Sequence, residues 1–268
     1  MPTDIFSVTQ KENRCLSFMS QAIGLMAELD LGTENLRFMG DARFVVGYIR
    51  GIVQRRSCPV RVSIKVVEAD KRKMVADLHA ARAQAKSRIS ALQAGAPSAS
   101  MDGRQEGTPG LERVTSAESG DREGDLPTLR FRDGPRDASD GWVVFDKPIL
   151  YLYAGKGPFV SRDLMQWPVS HADDGYIDVV VQEVSTRKTM IDAMDGADEG
   201  KTFWLETQHY FKAEAYRVEP QSDASYLSVD GEHYPFEPFE VEVHKGLATL
   251  LSPYGAYNVD FDLPKSSK

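Results

Sequence analysis

Residues 30–43 read Asp30-Leu31-Gly32-Thr33-Glu34-Asn35-Leu36-Arg37-Phe38-Met39-Gly40-Asp41-Ala42-Arg43, the densest polar stretch of the chain. Arg37 and Arg43 stand six residues apart, beside a helix predicted over 42–53. Two guanidinium forks at such a spot can grip phosphate oxygens. Asp30 follows the largely apolar run 23–29, so its carboxylate is expected at the end of a buried element, able to pair with a cation or a hydroxyl. The competing reading is internal, with Asp30, Glu34 and Asp41 neutralising the two arginines. A second candidate is Tyr226-Leu227-Ser228-Val229-Asp230-Gly231-Glu232, where Glu232 follows a predicted Asp-Gly hairpin turn. That carboxylate can reach a metal or a ligand, or can be an ordinary solvated turn residue.

Other chemistries are poorly served. The five histidines, His79, His171, His209, His233 and His244, form no H-E-x-x-H and no close pair, so no structural zinc site is expected. There is no G-x-S-x-G elbow. Gly196-Ala197-Asp198-Glu199-Gly200-Lys201-Thr202 imitates a phosphate-binding loop, but its glycines are one residue too close and its acids would repel phosphate. It reads as a helix-terminating turn. Gly155-Lys156-Gly157 reads as a hairpin connection after a strand over 149–153. Cys15 and Cys58 form no C-x-x-C and are too few for a disulfide framework, which points to a reducing, intracellular setting.

The elements that must hold these residues are mostly strands. Residues 176–182 are rich in β-branched side chains and follow Asp173-Asp174-Gly175. Residues 211–215 and 239–243 alternate apolar and polar, which puts Phe239, Val241 and Val243 on one face. A short helix is predicted over 185–194, capped by Ser185, with Met190, Ile191 and Met194 on its buried side. Many short strands with turn signals and few helices predict a mainly β (α+β) fold, an antiparallel β-sandwich.

Aromatic residues mark the organisation. Of 25, five fall in 6–48 and nineteen in 142–261, and Phe131 alone lies between. Aromatics dominate core burial, so the core is expected from two separated pieces, 1–65 and 142–262, with a tail at 263–268. Residues 66–93 suit an exposed charged helix, and 94–140, dominated by Gly, Pro, Ser and charge, a long disordered insertion. The 268-residue chain has net charge -8 and no basic block, which argues against nucleic acid as a partner. No apolar run is long enough to span a bilayer, and residues 1–14 contain no signal-peptide core. Any membrane contact is therefore expected to be peripheral.

Together these segments resemble the sphingosine (sphingoid long-chain base) kinases of the diacylglycerol-kinase-like lipid kinase group. The block 30–44 is similar to that family's characteristic block, and 17–27 to its lead-in. Residues 211–220 and 228–232 resemble two C-terminal blocks, 242–253 a closing strand pair, and Asp174-Gly175-Tyr176-Ile177-Asp178 the group's D-G-x-x-D turn. The resemblance implies ATP-dependent phosphorylation, with Mg, of the primary hydroxyl of a sphingosine- or phytosphingosine-type base. It implies Asp30 as the head-group ligand, Arg37 and Arg43 as phosphate contacts, and Glu232 near nucleotide and magnesium. It further implies a cytoplasmic protein at a membrane surface, its β-sandwich holding the lipid tail. The sequence contains no G-G-D-G, the family's nucleotide loop. The catalytic base is thus expected in a nucleotide-binding domain missing from this chain, and the chain is expected to be the lipid-binding part. The alternatives are an inactive lipid-binding module and a diacylglycerol or ceramide kinase-like fragment.

Overall fold

A computed structural model describes residues 1–32, 40, 42–54, 57–95, 126–132, 141–222, 225–252 and 255–264; for 42–44, 85 and 88–95 it describes the backbone alone. The elements in chain order begin β1 (Pro2–Gln10), β2 (Asn13–Ser17), β3 (Ser20–Gly24), α1 (Leu25–Leu31), α2 (Ala42–Gln54), β4 (Val60–Glu68) and α3 (Lys71–Gly95). There follow β5 (Trp142–Phe145), β6 (Ile149–Gly155), β7 (Phe159–Ser161), β8 (Leu164–Met165), β9 (Ile177–Glu183) and α4 (Arg187–Asp192). A 3-10 turn (Lys201–Trp204) leads to β10 (Gln208–Pro220), β11 (Leu227–Val229), β12 (Glu232–Tyr234) and β13 (Phe239–Thr249).

The strands pair antiparallel and run in the order β12-β11-β3-β6-β9-β10-β13-β1-β2, with β4 and β5 joined through β10. The long strand β10 explains the shape. Lys212 and Ala213 pair with both β9 and β4, while Ala215–Val218 pair with both β13 and β4. A strand has two edges, so β9 and β13 share one edge of β10 and the sheet forks between them. One branch is β9-β6-β3-β11-β12 and the other β13-β1-β2. The branches close on one core that includes Phe6, Ile23, Ile177, Tyr216, Phe239 and Val241. This is the mainly β, antiparallel architecture expected from the sequence, built as one curled sheet.

A second core lies on the other side of the β9 branch. Val180 and Tyr210 face it and meet Leu25, Met26, Trp167 and Phe203. Ile177, Val179 and Val181 point into the first core. Burial on both faces is why Val179-Val180-Val181 is an unbroken apolar run.

Charge fills the fork. The Lys156 ammonium has 1% side-chain exposure and bridges Asp4 (3.0 Å) and Asp174. Lys212 bridges Asp174 (2.9 Å) and Asp178 (3.0 Å), and the Tyr210 hydroxyl donates to Asp178 Oδ1 (2.8 Å). Asp4 also accepts from Gly175 N and Gly246 N, both at 2.8 Å. These contacts tie β1, β9, β10 and β13 where the branches part. Burial alone would raise Asp174, but Lys212 and Lys156 outweigh it and hold the carboxyl at about 2. Lys212 is likewise held charged against its burial by Asp178 and Asp174.

Several local expectations change. Lys156 is not in a hairpin connection: β6 pairs with β3 and β9, and β7 pairs only with β8. Thr186, not Ser185, caps α4, its Oγ1 accepting from Thr189 N (3.1 Å), and Ile191 is exposed. The charged helix α3 is not wholly exposed, since Met74, Val75 and Leu78 are buried in the second core. Of the predicted insertion, 96–125 and 133–140 lie outside the described residues. Residues 126–132 are held against the sheet: Glu242 accepts from Arg130 N (2.7 Å) and Phe131 N (3.0 Å), and Phe131 packs edge-on to Trp142.

Candidate functional site

The apolar run before Asp30 divides into the end of β3 and the short helix α1. Gly24 makes the change of direction with φ +69, and a Cβ there would lie 2.4 Å from Leu150 O, so only glycine fits. The helix then buries Leu25, Met26, Ala27 and Leu29 and leaves Asp30 half-buried near its C-terminal end.

Across from it, β11 pairs with β3, and this pairing carries the 228–232 block to Asp30. The buried Ser228 hydroxyl donates to Asp30 Oδ2 at 2.6 Å. Burial, and then the nearby Asp30 carboxylate, push the Tyr153 hydroxyl up to about 12. Asp30 therefore has a described hydroxyl partner and an aromatic neighbour.

The hairpin itself is organised by Asp230. Asp230 and Gly231 both have positive φ, +52 and +87, as a two-residue turn of the primed kind needs. The Asp230 carboxylate accepts from Ser17 Oγ (2.7 Å), Phe18 N (3.0 Å), Met19 N (3.0 Å) and Ser20 N (2.8 Å). It locks the β2–β3 turn to the β11–β12 turn. Glu232 is exposed and pairs with Val229, one residue from Ser228. Alternation along a strand puts Ser228 and Glu232 on opposite faces of the hairpin.

Leu29, the residue before Asp30, lines a largely apolar cavity of about 400 Å³. Met26 and Leu29 of α1, Val45 and Tyr48 of α2, Tyr151 of β6 and Met194 after α4 line it. Helix α2 approaches closely because Gly51 has no side chain: a Cβ there would fall 2.1 Å from Leu25 Cδ1. Burial raises the hydroxyl pKa of both Tyr48 and Tyr151, so these groups stay neutral.

The sequence candidates fare unequally. Asp30 meets Ser228, whereas Glu232 lies on the opposite face of the β11–β12 hairpin. Arg37, with Glu34 and Asp41, lies outside the described residues. Arg43 stands in the first turn of α2, its side chain outside the described set. The cavity was missed as a set of named residues because its lining comes from five separate segments. Among the described residues no group of three His, Cys, Asp or Glu side chains could hold a metal ion.

Residues 151–252 match the YegS C-terminal NAD kinase beta sandwich-like domain. The chain is similar to "Sphingoid long chain base kinase 4" of Schizosaccharomyces pombe, 27% identical over 96% of this chain and 49% of that protein. It is similar to "Sphingoid long chain base kinase 5" of Saccharomyces cerevisiae, 27% identical over 94% of this chain and 40% of that protein. Among solved structures, a diacylglycerol kinase from Bacillus anthracis str. Sterne is 14% identical, with TM-score 0.44, over 92% of this chain and 55% of that chain. The chain thus spans half or less of the length of the two yeast kinases.

Proposed function

We propose that the chain is the C-terminal, lipid-substrate part of a sphingoid base kinase, a reading supported by its similarity to two yeast sphingoid long chain base kinases. The whole enzyme would transfer the terminal phosphoryl group of ATP, with Mg, to the primary hydroxyl of a sphingosine- or phytosphingosine-type base. The observation that carries this reading is the Asp30 carboxylate immediately after Leu29, which lines an apolar cavity of about 400 Å³. A sphingoid base joins an amine and hydroxyls to a long hydrocarbon tail. A half-buried carboxylate suits the first part and an apolar slot the second.

The nucleotide end is thin. Glu232 is the one nucleotide-side candidate with a described side chain, and a single exposed carboxylate is not a site for Mg-ATP. What these residues contribute is placement of the lipid: the carboxylate orients the head group and the cavity excludes water from the tail. Arg37 and Arg43 remain our candidates for phosphate contacts, in company with a nucleotide-binding domain outside this sequence.

Peripheral membrane contact belongs to the same reading. Val45, Val46, Ile49 and Val53 of α2 are exposed, and Val45 also lines the cavity. Apolar side chains left in water beside a lipid slot favour contact with a bilayer. Among the described residues no helix is long and apolar enough to cross a membrane.

The test is titration of the chain with a fluorescent sphingoid base. Saturable binding is expected, weakened at least tenfold in Asp30→Asn, because the amine then faces a neutral amide. No saturable binding, or an Asp30→Asn variant that binds equally, refutes the assignment.

A further inference from the structure

Ser7, Arg14, Glu242 and His244 form a polar cluster that the reading above leaves unused. Val8, Val241 and Val243 point into the first core, so Ser7, Glu242 and His244, which alternate with them, face the other way. Ser7 is nevertheless 0% exposed and Glu242 3%. Residues 126–132 lie over them: Glu242 accepts from the Arg130 and Phe131 amides, and Arg14 Nη2 donates to Pro127 O.

The hydrogen bonds fix the protonation state of His244. Ser7 Oγ accepts from Arg14 Nε at 2.9 Å and Nη2 at 2.6 Å, and stands 2.7 Å from His244 Nε2. A hydroxyl has two lone pairs and one proton. Arg14 takes both lone pairs, so the Ser7 proton goes to His244, and Nε2 is the bare nitrogen of a neutral ring. Arg14 Nη2 also faces that nitrogen, at 3.3 Å. A proton on Nε2 would set it against the Ser7 proton and place a second cation beside the guanidinium that holds Pro127 O.

Burial, and then Arg14 of β2, hold the ring's pKa below its ordinary 6.5; Glu242 of β13 opposes them, and Arg130 of the covering segment adds a smaller push downward. Asp174 and Tyr176 before β9, Glu214 of β10 and Lys245 of β13 share a pocket with the ring.

We propose that His244 is a proton-operated latch for residues 126–132. Neutral, it lets Arg14 reach the Pro127 carbonyl and leaves Glu242 to the Arg130 and Phe131 amides. Protonated, it repels Arg14 and draws Glu242 to itself, so both anchors of the segment weaken together and Ser7 and Glu242 are uncovered. Phe131 against Trp142 and Arg132 on Lys11 O hold the far end, so opening starts at Pro127. The sign follows from the depressed value: the latch is shut above the ordinary histidine range and opens as pH falls below it. The latch does not depend on the lipid-kinase reading.

The experiment is amide hydrogen exchange on the chain, resolved to Arg130 and Phe131 and corrected for the intrinsic effect of pH, at about pH 7.5 and about pH 5.5, both above the ordinary carboxylate range. Uptake of one proton on opening eases it by up to about tenfold for each pH unit below the ordinary histidine range, so protection at both amides should fall about fivefold or more at the acid value. The Tyr216 amide, within β10 and flanked by β13 and β4, should keep its protection. In His244→Gln, whose side-chain oxygen can accept from Ser7 but takes up no proton, the fall should vanish. Titration of the His244 ring by NMR in the wild type carries the test should that variant fail to fold, because the ring must take up its proton over the range in which protection is lost. Unchanged protection, a fall that persists in His244→Gln, a ring that titrates outside that range, or an equal fall at Tyr216 overturns the latch.

Discussion

Replacing Lys212 by methionine removes one cation from the fork of the sheet and leaves two buried carboxylates short of a partner. Asp178 has 0% side-chain exposure and keeps only the Tyr210 hydroxyl as a described side-chain partner. Asp174, at 18%, keeps Lys156. Breaking a buried pair from one side costs about 3–5 kcal/mol, a large part of the roughly 5–15 kcal/mol that holds a domain folded. The assay is urea denaturation of the wild type and Lys212→Met, with the slope against denaturant as a check that the same surface unfolds. The acid side supplies a second readout. In the wild type the Asp174 carboxyl is held at about 2 against its ordinary 3.8, a depressed value. Its contribution, on the order of 2 kcal/mol, is present above about pH 4 and lost as pH falls toward 2. Without Lys212, burial pushes the carboxyl back up, so this acid loss should shrink. Lys188→Met provides the control. Its pair with Asp192 is 85% and 59% exposed, and its removal should be nearly silent. A Lys212→Met variant within about 1 kcal/mol of wild type, with an unchanged acid limb, would refute the view that this cluster closes the fork.

Two further outcomes are expected. Asp230→Ala removes an acceptor from four donors of the β2–β3 turn and should cost about 2–3 kcal/mol. Asp230→Asn should lose less, and hydrogen exchange at Met19 and Ser20 should accelerate in the alanine variant; unchanged exchange there would contradict the anchoring role. Ile49→Asp and Val53→Asp, on the exposed face of α2, should each weaken sedimentation with phosphatidylcholine vesicles containing anionic lipid at least fivefold without lowering the melting temperature. Equal sedimentation would rule out this face as the membrane contact.

Much of the β architecture was legible because strand signals are local. The 239–243 alternation sends Phe239, Val241 and Val243 into the first core, as the period of two requires. The Asp230-Gly231 turn followed from the backbone angles such a hairpin demands. Helix α2 came within a residue of its predicted limits, since its apolar spacing is its own. Other features were hidden for equally physical reasons. Lys156 between two glycines looks like a turn, and only the distant Asp4 and Asp174 make it a buried bridge. Helix α3 has a thin apolar face, yet Met74, Val75 and Leu78 of its first turns are buried in the second core.

The candidate site divides along the same line. Residue types and collinear blocks, read in one dimension, named Asp30 and the segment 228–232 and pointed to lipid phosphorylation chemistry. Only folding could decide that Ser228 donates to Asp30, because those residues lie 198 apart and meet through the pairing of β3 with β11. Only folding could gather α1, α2, β6 and the turns after β8 and α4 into one apolar cavity containing Gln166 and Thr202. Sequence spacing records neighbours along a chain, whereas a cavity is set by the space that non-neighbours leave between them.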